Sequence, residues 1–261
     1  MHWLFITRML NSENLKMKHV YSIIGLLLIS LNALAGPNIS PGTVYDYMDA
    51  DKSTYLKRIF NGGSSTAFVR IKILEIIYKP DGTSEEVPLK AQGGSVRDGL
   101  MASPARLIIP ANSTQGSRLL FMGNRDHERY FRVRFIPVVP EKEDEFALNQ
   151  EQAEDYKKTL SAGVSVLAGY GTIFMVRPKN IRIDTRIDDT KNQYSIKNNG
   201  NTVVLVDEFK DCATKDSQDC KPVTKTHILP GRIFQFNKEP GRHYRFTLIE
   251  ANKQKIIEVK G

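Results

Sequence analysis

The chain has 261 residues, 41% of them hydrophobic, and a formal net charge of +8. This length is enough for one or two domains with their own hydrophobic cores. Lysine and arginine are spread along apparent strands rather than clustered with stacking aromatic residues. This pattern argues against nucleic-acid binding and favours an acidic partner or a carboxylate.

The amino terminus predicts export. An apolar run over residues 20–34 is too short to span a bilayer comfortably, and it ends in the cleavage pattern Ala33-Leu34-Ala35. We expect residues 1–35 to be a secretory signal peptide whose basic flank is Lys16, Lys18 and His19, and Met17 is an alternative start. A retained membrane anchor is the other alternative, which the short run disfavours, so we expect no stable membrane insertion.

Most of the remaining chain predicts short antiparallel strands separated by turns, because apolar residues alternate with polar ones in runs bounded by Gly, Pro and Asn. The predicted strands are Thr66–Tyr78, Arg106–Pro110, Arg118–Met122, Tyr130–Val139, Tyr194–Ile196, Thr202–Phe209, Arg232–Phe236, Tyr244–Glu250 and Lys255–Val259. Asn112–Gly116 predicts a turn, and Asn198–Asn201 predicts a hairpin.

These elements predict an all-β protein with two immunoglobulin-like β-sandwich domains in tandem. The pattern restarts after Arg177-Pro178, so we place the domains at residues 36–177 and 178–261. Residues 140–162 are polar and lack β periodicity, which predicts a long loop with one short helix. A purely solvated insertion is the alternative for this loop.

The loop leads into Gly163–Pro178, a strand-like run of sixteen residues where strands usually have about five or six. Its second half, 173–176, is apolar on both faces and predicts a buried core strand. Its first half places Val164, Val166, Ala168 and Tyr170 on one face. The domain itself does not need this apolar edge, and exposed edges are templates for pairing with another chain.

The sequence predicts no enzyme, cofactor or metal site. Catalytic and phosphate-binding motifs are missing, no Cys or His pair has ligand spacing, and the carboxylates at 141–145 are better explained as a solvated charge run. The two cysteines, Cys212 and Cys220, both lie in the exported part and are expected to form a disulfide. A ring of this size contributes about 2.6 kcal/mol in the chain-entropy model.

Several segments, in order, resemble the periplasmic chaperones of chaperone–usher pilus assembly (the PapD-like superfamily). They are Lys57–Asn61 followed by Ala67–Ile71, Ser103–Ala111, Glu128–Phe135 and Phe174–Pro178. Together they cover most of residues 43–178. The carboxy-terminal part is similar mainly in its two cysteines and in Leu229-Pro230-Gly231.

The chain is most similar to the alternative class of this family, which serves CFA/I-type and E. coli common pilus-type fimbriae. In the P and type 1 pilus class, a lysine four residues before the Arg of the Arg-Pro pair and an arginine on the first strand hold the subunit's terminal carboxylate in the cleft between domains. Here that position is Ile173, and the predicted first strand, Val44–Met48, has no arginine. This anchor is therefore not transferable to the chain.

The resemblance implies a chaperone in the periplasm that binds, folds and caps pilin subunits and delivers them to an outer-membrane usher. Two domains set at an angle, with a cleft between them, are implied as well. Val164, Val166, Ala168 and Tyr170 are then the donor-strand residues inserted into the open groove of a pilin. Arg132 and Arg134 are candidate carboxylate ligands, with solvent-facing strand positions as the alternative. An uncovered apolar edge also makes a self-capping dimer an expected state of the free protein.

Two other classes of protein stay open on the sequence alone. The first is an exported two-domain adhesin or pilus-associated structural protein that binds glycan or matrix through a loop. The second is a secreted hydrolase with a β-sandwich accessory domain, which the missing catalytic motifs disfavour. A pilin is disfavoured because the long strand is internal and further strands follow it.

Overall fold

The computed structural model describes residues 36–89, 91–92, 95–96, 98–141, 146, 148–161, 167–215 and 218–261. The predicted signal peptide, Val164 and Val166 lie outside these residues. The described part consists of nineteen strands and one helix. The predicted all-β fold class is confirmed.

The first sandwich is formed by strands up to residue 176, which are arranged in two facing sheets. The first sheet has the order β1-β3-β10-β8, and the second has the order β2-β12-β11-β4-β5 with β9 also pairing with β4. Their bounds are β1 (Ile39–Ser40), β2 (Tyr45–Met48), β3 (Thr54–Asn61), β4 (Ala67–Tyr78), β5 (Ser84–Pro88), β8 (Gly99–Ser103), β9 (Arg106–Ile109), β10 (Ser113–Met122), β11 (Arg129–Pro137) and β12 (Tyr170–Val176). A small ribbon of β6 (Ala91–Gln92) and β7 (Ser95–Val96) lies between β5 and β8 in the chain.

The second sandwich pairs a sheet of order β13-β14-β17 with one of order β16-β15-β18-β19. The bounds of these strands are β13 (Thr185–Asp189), β14 (Gln193–Asn198), β15 (Val204–Cys212), β16 (Thr224–Ile228), β17 (Ile233–Asn237), β18 (His243–Glu250) and β19 (Lys253–Lys260). The predicted division at residue 178 falls in the segment between β12 and β13, and the exact boundary stays a prediction.

Each sandwich has its own apolar core, built from the inward positions of both sheets. In the first, Leu119 of the first sheet packs in one cluster with Phe131, Phe135 and Phe174 of the second. In the second sandwich the cluster combines aliphatic residues with the aromatic Tyr194, Tyr244 and Phe246. Period-two alternation therefore decides which residues form the cores.

One helix, α1 (Gln150–Ser161), interrupts the loop between β11 and β12. The prediction of one short helix is confirmed. The Asn149 side chain accepts a hydrogen bond from the amide of Gln152, and the Gln152 side chain accepts one from the amide of Asn149. This reciprocal capping satisfies two amides that the first helical turn leaves without partners, and it explains where the helix begins.

Three sequence predictions are corrected by the strand arrangement. Strand β10 already begins at Ser113, so the turn predicted over 112–116 is confined to the residues before it. The hairpin predicted at 198–201 is wrong, because β14 and β15 lie in different sheets. The side-chain amide of Asn198 instead donates to the carbonyls of Thr202 and Ile228, which holds the crossing between sheets.

The third correction concerns β12, which begins at Tyr170, whereas the sequence predicted a strand from residue 163. The described residues 167–169 belong to no strand. Only two residues of β11, Ile136 and Pro137, extend beyond Phe135, the partner of Tyr170. A strand that began at residue 163 would therefore have no partner in β11 for most of its added length.

Candidate functional site

Strand β12 lies between two neighbours of different lengths. On one side, β11 pairs with its whole length from Tyr170 to Val176. On the other side, β2 pairs with it in parallel only over Ile173–Val176. Within the part of the chain that the structure describes, no strand pairs with the second edge of residues 170–172. Their outward backbone groups are therefore available to a further strand.

This free edge continues into an exposed segment. Ala168 and Gly169 are exposed, and Tyr170 keeps 41% of its surface in contact with solvent. Thr172, Phe174 and Val176, which share the face of Tyr170 by alternation, are buried in the core. The apolar face of β12 thus extends from the core to its exposed end. Of the four predicted donor residues, Ala168 and Tyr170 lie in described positions, and their role stays a prediction.

A buried ion pair joins β2 to β3 of the facing sheet. The Lys57 ammonium donates to the Asp46 carboxylate at 2.6 Å, and the two side chains are only 4% and 2% exposed. Asp46 also accepts hydrogen bonds from the hydroxyls of Thr43 and Tyr55. This network anchors the short β2 to the facing sheet, and the backbone pairing of β2 with Ile173–Val176 leaves the edge of residues 170–172 free.

The candidate carboxylate ligands Arg132 and Arg134 lie on the outer face of the same sheet. Arg132 Nε donates to Glu86 at 3.1 Å, and Arg134 Nη2 donates to the other oxygen of Glu86 at 2.5 Å. Gly171 of β12 lies beside both side chains, and a Cβ there would approach Arg132 Cδ to 3.2 Å. The glycine lets the arginine stems lie directly against the strand with the free edge.

The basic character of this face extends to the next strand. Lys72 of β4 is exposed and lies opposite Arg134 in the strand register. Glu86, on β5, is the carboxylate that both arginines share. The arrangement already binds one carboxylate between two guanidinium groups beside β12, and it shows the geometry that a partner's carboxylate could adopt. Sequence reasoning missed Glu86, since only the fold places β5 within side-chain reach of β11, on the other side of β4.

The two sandwiches contact each other through specific polar groups. Glu128, just before β11, is buried and accepts hydrogen bonds from the Thr202 hydroxyl at 2.6 Å and the Val203 amide at 2.8 Å. Burial raises the pKa of the Glu128 carboxyl, and these hydrogen bonds act in the opposite direction. A cleft of about 560 Å³ adjoins this contact and is lined from both sides by residues that include Tyr130 and Arg232.

The resemblance places the anchoring lysine of the P and type 1 pilus class at Ile173, an apolar residue. Ile173 lies opposite Tyr45 on one side and opposite Arg132 on the other. The Arg232 side chain donates to the carbonyls of Lys79 and Pro80 across the cleft. Its guanidinium therefore serves the contact between the sandwiches.

The two cysteines form the expected disulfide, Cys212–Cys220. It closes the loop after β15, far along the chain from β12. In the part of the chain with described coordinates, no cluster of three or more His, Cys, Asp or Glu side chains is suited to hold a metal ion. Over the same residues, no helix has the length and apolar character needed to cross a membrane.

No family model matches the chain. Among curated proteins it is 25% identical over 223 residues to the probable fimbrial chaperone EcpB of Klebsiella pneumoniae (strain 342), with 85% of this chain and 89% of that one covered. It is also 25% identical over 236 residues to the probable fimbrial chaperone EcpB of Escherichia coli O1:K1 / APEC, with 87% and 96% covered.

Solved structures show the same fold. The class 5 fimbriae chaperone CfaA aligns with a TM-score of 0.51 and 22% identity, covering 85% of this chain and 98% of CfaA. The E. coli chaperone DraB aligns with a TM-score of 0.50 and 12% identity, covering 87% and 98%. The fold is that of the two-domain, immunoglobulin-like PapD-like chaperones. The resemblance to chaperones of chaperone–usher pilus assembly is confirmed, in sequence by EcpB and in fold by CfaA.

Proposed function

We propose that this protein is a periplasmic chaperone that binds fimbrial subunits through donor-strand complementation and delivers them to an outer-membrane usher. The free edge of β12 at residues 170–172, continued by the exposed Ala168 and Gly169, carries the proposal. A subunit that lacks its last strand would pair with this edge through its backbone. The protein has no catalytic step in this function.

The donor residues are Val164, Val166, Ala168 and Tyr170, which enter alternate pockets of the subunit's open groove. A fully buried large apolar side chain contributes roughly 1.5–3 kcal/mol, so the valines and the tyrosine supply several kcal/mol before the ordering of the segment is subtracted. The small Ala168 leaves its pocket underfilled. An underfilled pocket favours later exchange for a neighbouring subunit's extension at the usher.

Arg132 and Arg134 bind the carboxylate of the captured subunit in place of Glu86. The two guanidinium groups are already within hydrogen-bonding distance of one carboxylate, and they lie against Gly171 of the donor strand. A partner carboxylate at this position would add a charge-assisted hydrogen bond to the backbone pairing between the two strands. Export by cleavage of residues 1–35, a domain boundary at 177/178 and self-capping of the free edge by a second copy belong to the same proposal.

Co-expression with fimbrial subunits tests the function. Each exported β-rich subunit encoded beside this gene is expressed in the periplasm without its amino-terminal extension, alone or with this protein. We expect a soluble one-to-one complex with the wild-type chain and none with Val166→Asp. The matched control is Val223→Asp, because Val223 is exposed in the second sandwich and the substitution is identical. If the solubility of the subunits does not depend on this protein, the proposal is contradicted. An adhesin is then the favoured class of protein.

A further inference from the structure

Helix α1 is attached to the first sandwich by an aromatic contact at the start of β4. The Tyr156 hydroxyl donates to the carbonyl of Thr66 at 2.7 Å. The rings of Tyr156 and Phe146 meet the Phe68 ring edge-on, with centroids 4.8 and 5.3 Å away. Phe68 is consequently only 6% exposed. We refer to Phe68, Phe146 and Tyr156 as the Phe68 clasp.

The helix depends on this contact. It has twelve residues and is polar except for a narrow stripe of Ala153, Tyr156 and Leu160, at helical spacing. Leu160 is buried as well. Helices of this length are marginal in water without tertiary packing. Docking on Phe68 is therefore what keeps α1 folded and in place.

The clasp lies on the outer face of the sheet. Phe68 shares its side of β4 with the exposed Arg70 and Lys72, by alternation. Tyr170 shares its side of β12 with the buried Thr172 and Phe174, and so faces the opposite way. The docked helix therefore leaves the donor face of β12 uncovered.

The chain distance between the two fixed points is short. Helix α1 ends at Ser161 and β12 begins at Tyr170, so eight residues, 162–169, join them. The clasp holds one end of this connection and β12 holds the other. A short chain held at both ends has fewer conformations to lose than one held at a single end.

We propose that the Phe68 clasp is a positioning device that holds the amino-terminal end of the donor segment and thereby strengthens the binding of a subunit. This inference rests on the proposed function. The partner is the fimbrial subunit, and the clasp acts on it through residues 162–169. When a binding segment loses conformations on association, affinity is weakened, and restraint of its ends before binding removes part of the loss.

A lid is the competing role for a helix beside a binding strand, and it predicts the opposite effect. A lid must be displaced before binding, so its removal increases affinity. The outer-face position of Phe68 favours positioning, because the helix does not cover the face of Tyr170. The sign of the affinity change therefore separates the two roles.

The experiment compares Tyr156→Ala with Glu151→Ala in the full mature chain. Glu151 is an exposed residue of the first turn of the same helix, outside the clasp, and is the matched control. The probe is whichever neighbouring-gene subunit forms the complex described above, and its Kd is measured by competition between chaperone variants. We expect Tyr156→Ala to bind about 10-fold more weakly and the control to stay within about 2-fold. Tyr156→Phe keeps the ring contacts and should show a smaller loss.

Amide hydrogen exchange of α1 in the free protein reports docking independently of any subunit. We expect Tyr156→Ala to lose protection over residues 153–161 while the strands keep theirs. Unchanged protection overturns the inference, as does lost protection with unchanged affinity. Tighter binding by Tyr156→Ala identifies a lid and also overturns the inference.

If the wild-type chain binds no subunit, the proposed function fails first and the inference fails with it. If Tyr156→Ala lowers the melting temperature of the whole protein, the inference is tested with Tyr156→Phe instead. Its affinity for the subunit and the hydrogen-exchange protection of its α1 are then measured in the same way.

Discussion

The Tyr47 hydroxyl of the first sandwich and His227 Nε2 of the second lie 2.5 Å apart. The imidazole also stacks on the Tyr45 ring, with centroids 4.0 Å apart. Tyr45 and Tyr47 belong to β2, the strand that pairs with β12. The second sandwich therefore contacts, through His227, the strand that pairs with β12.

This contact predicts that the protein loses stability in mild acid. Burial lowers the pKa of His227 to about 4 from its usual 6.5, and the nearby Lys225 acts in the same direction while Asp207 opposes both. Between these values the unfolded chain binds a proton that the folded chain does not, so stability falls as pH falls from about 6.5 to 4. Melting curves across this range should show a steeper decline for wild type than for His227→Asn. Parallel declines would contradict the assignment.

A second prediction concerns the buried Lys57–Asp46 pair. Lys57→Met leaves the Asp46 carboxylate buried without its cation, and we expect the free energy of unfolding of the first sandwich to drop by about 3–5 kcal/mol. Urea unfolding monitored by aromatic fluorescence measures the change. Lys52→Met is the control, because its partner Asp51 is exposed and such pairs contribute about 0–1 kcal/mol. Equal effects of the two substitutions would count against the buried network.

The disulfide provides a third prediction. Replacing Cys212 and Cys220 together by serine removes the restraint on a short loop, which contributes about 2.6 kcal/mol in the chain-entropy model. We expect reduced stability in the second sandwich and unchanged affinity for the fimbrial subunit, since the bond lies outside the β12 region. Thermal unfolding with and without reductant measures the first effect. Loss of that affinity at a temperature where the variant is folded would show that the loop has a direct role.

The strands could be predicted from the sequence because alternation records which side chains face a core. Phe174, Met175 and Val176 are buried as expected from their apolar run. The start of β12 could not be predicted in the same way, since it depends on where β11 ends. The sequence also does not show which sheet the strand after β14 joins. The residues around Asn198 favour a hairpin, but the Asn198 side chain links two sheets.

The site was predictable only in part. The apolar alternation predicts a donor face, which stays a prediction, and the strand pattern placed Arg132 and Arg134 on the strand next to β12. The partners of these residues come from distant segments: Glu86 is 46 residues from Arg132 in the chain, and His227 is 180 residues from Tyr47. Pattern analysis of one segment contains no signal for such pairs, because each member alone is an ordinary surface or strand residue.

The final prediction concerns the carboxylate ligands. We expect Arg132→Glu to weaken the affinity for the fimbrial subunit by about 10- to 100-fold, because it replaces a charge-assisted hydrogen bond with like-charge repulsion beside Glu86. Arg118→Glu is the matched control, since Arg118 is an exposed strand residue of the other sheet.

A subunit with an amidated carboxy terminus distinguishes the terminal carboxylate from side-chain carboxylates. If the terminus is the ligand, amidation weakens binding to wild type but does not weaken binding to Arg132→Glu, because it removes the like-charge repulsion. Equal binding by wild type and Arg132→Glu would remove Arg132 from the site.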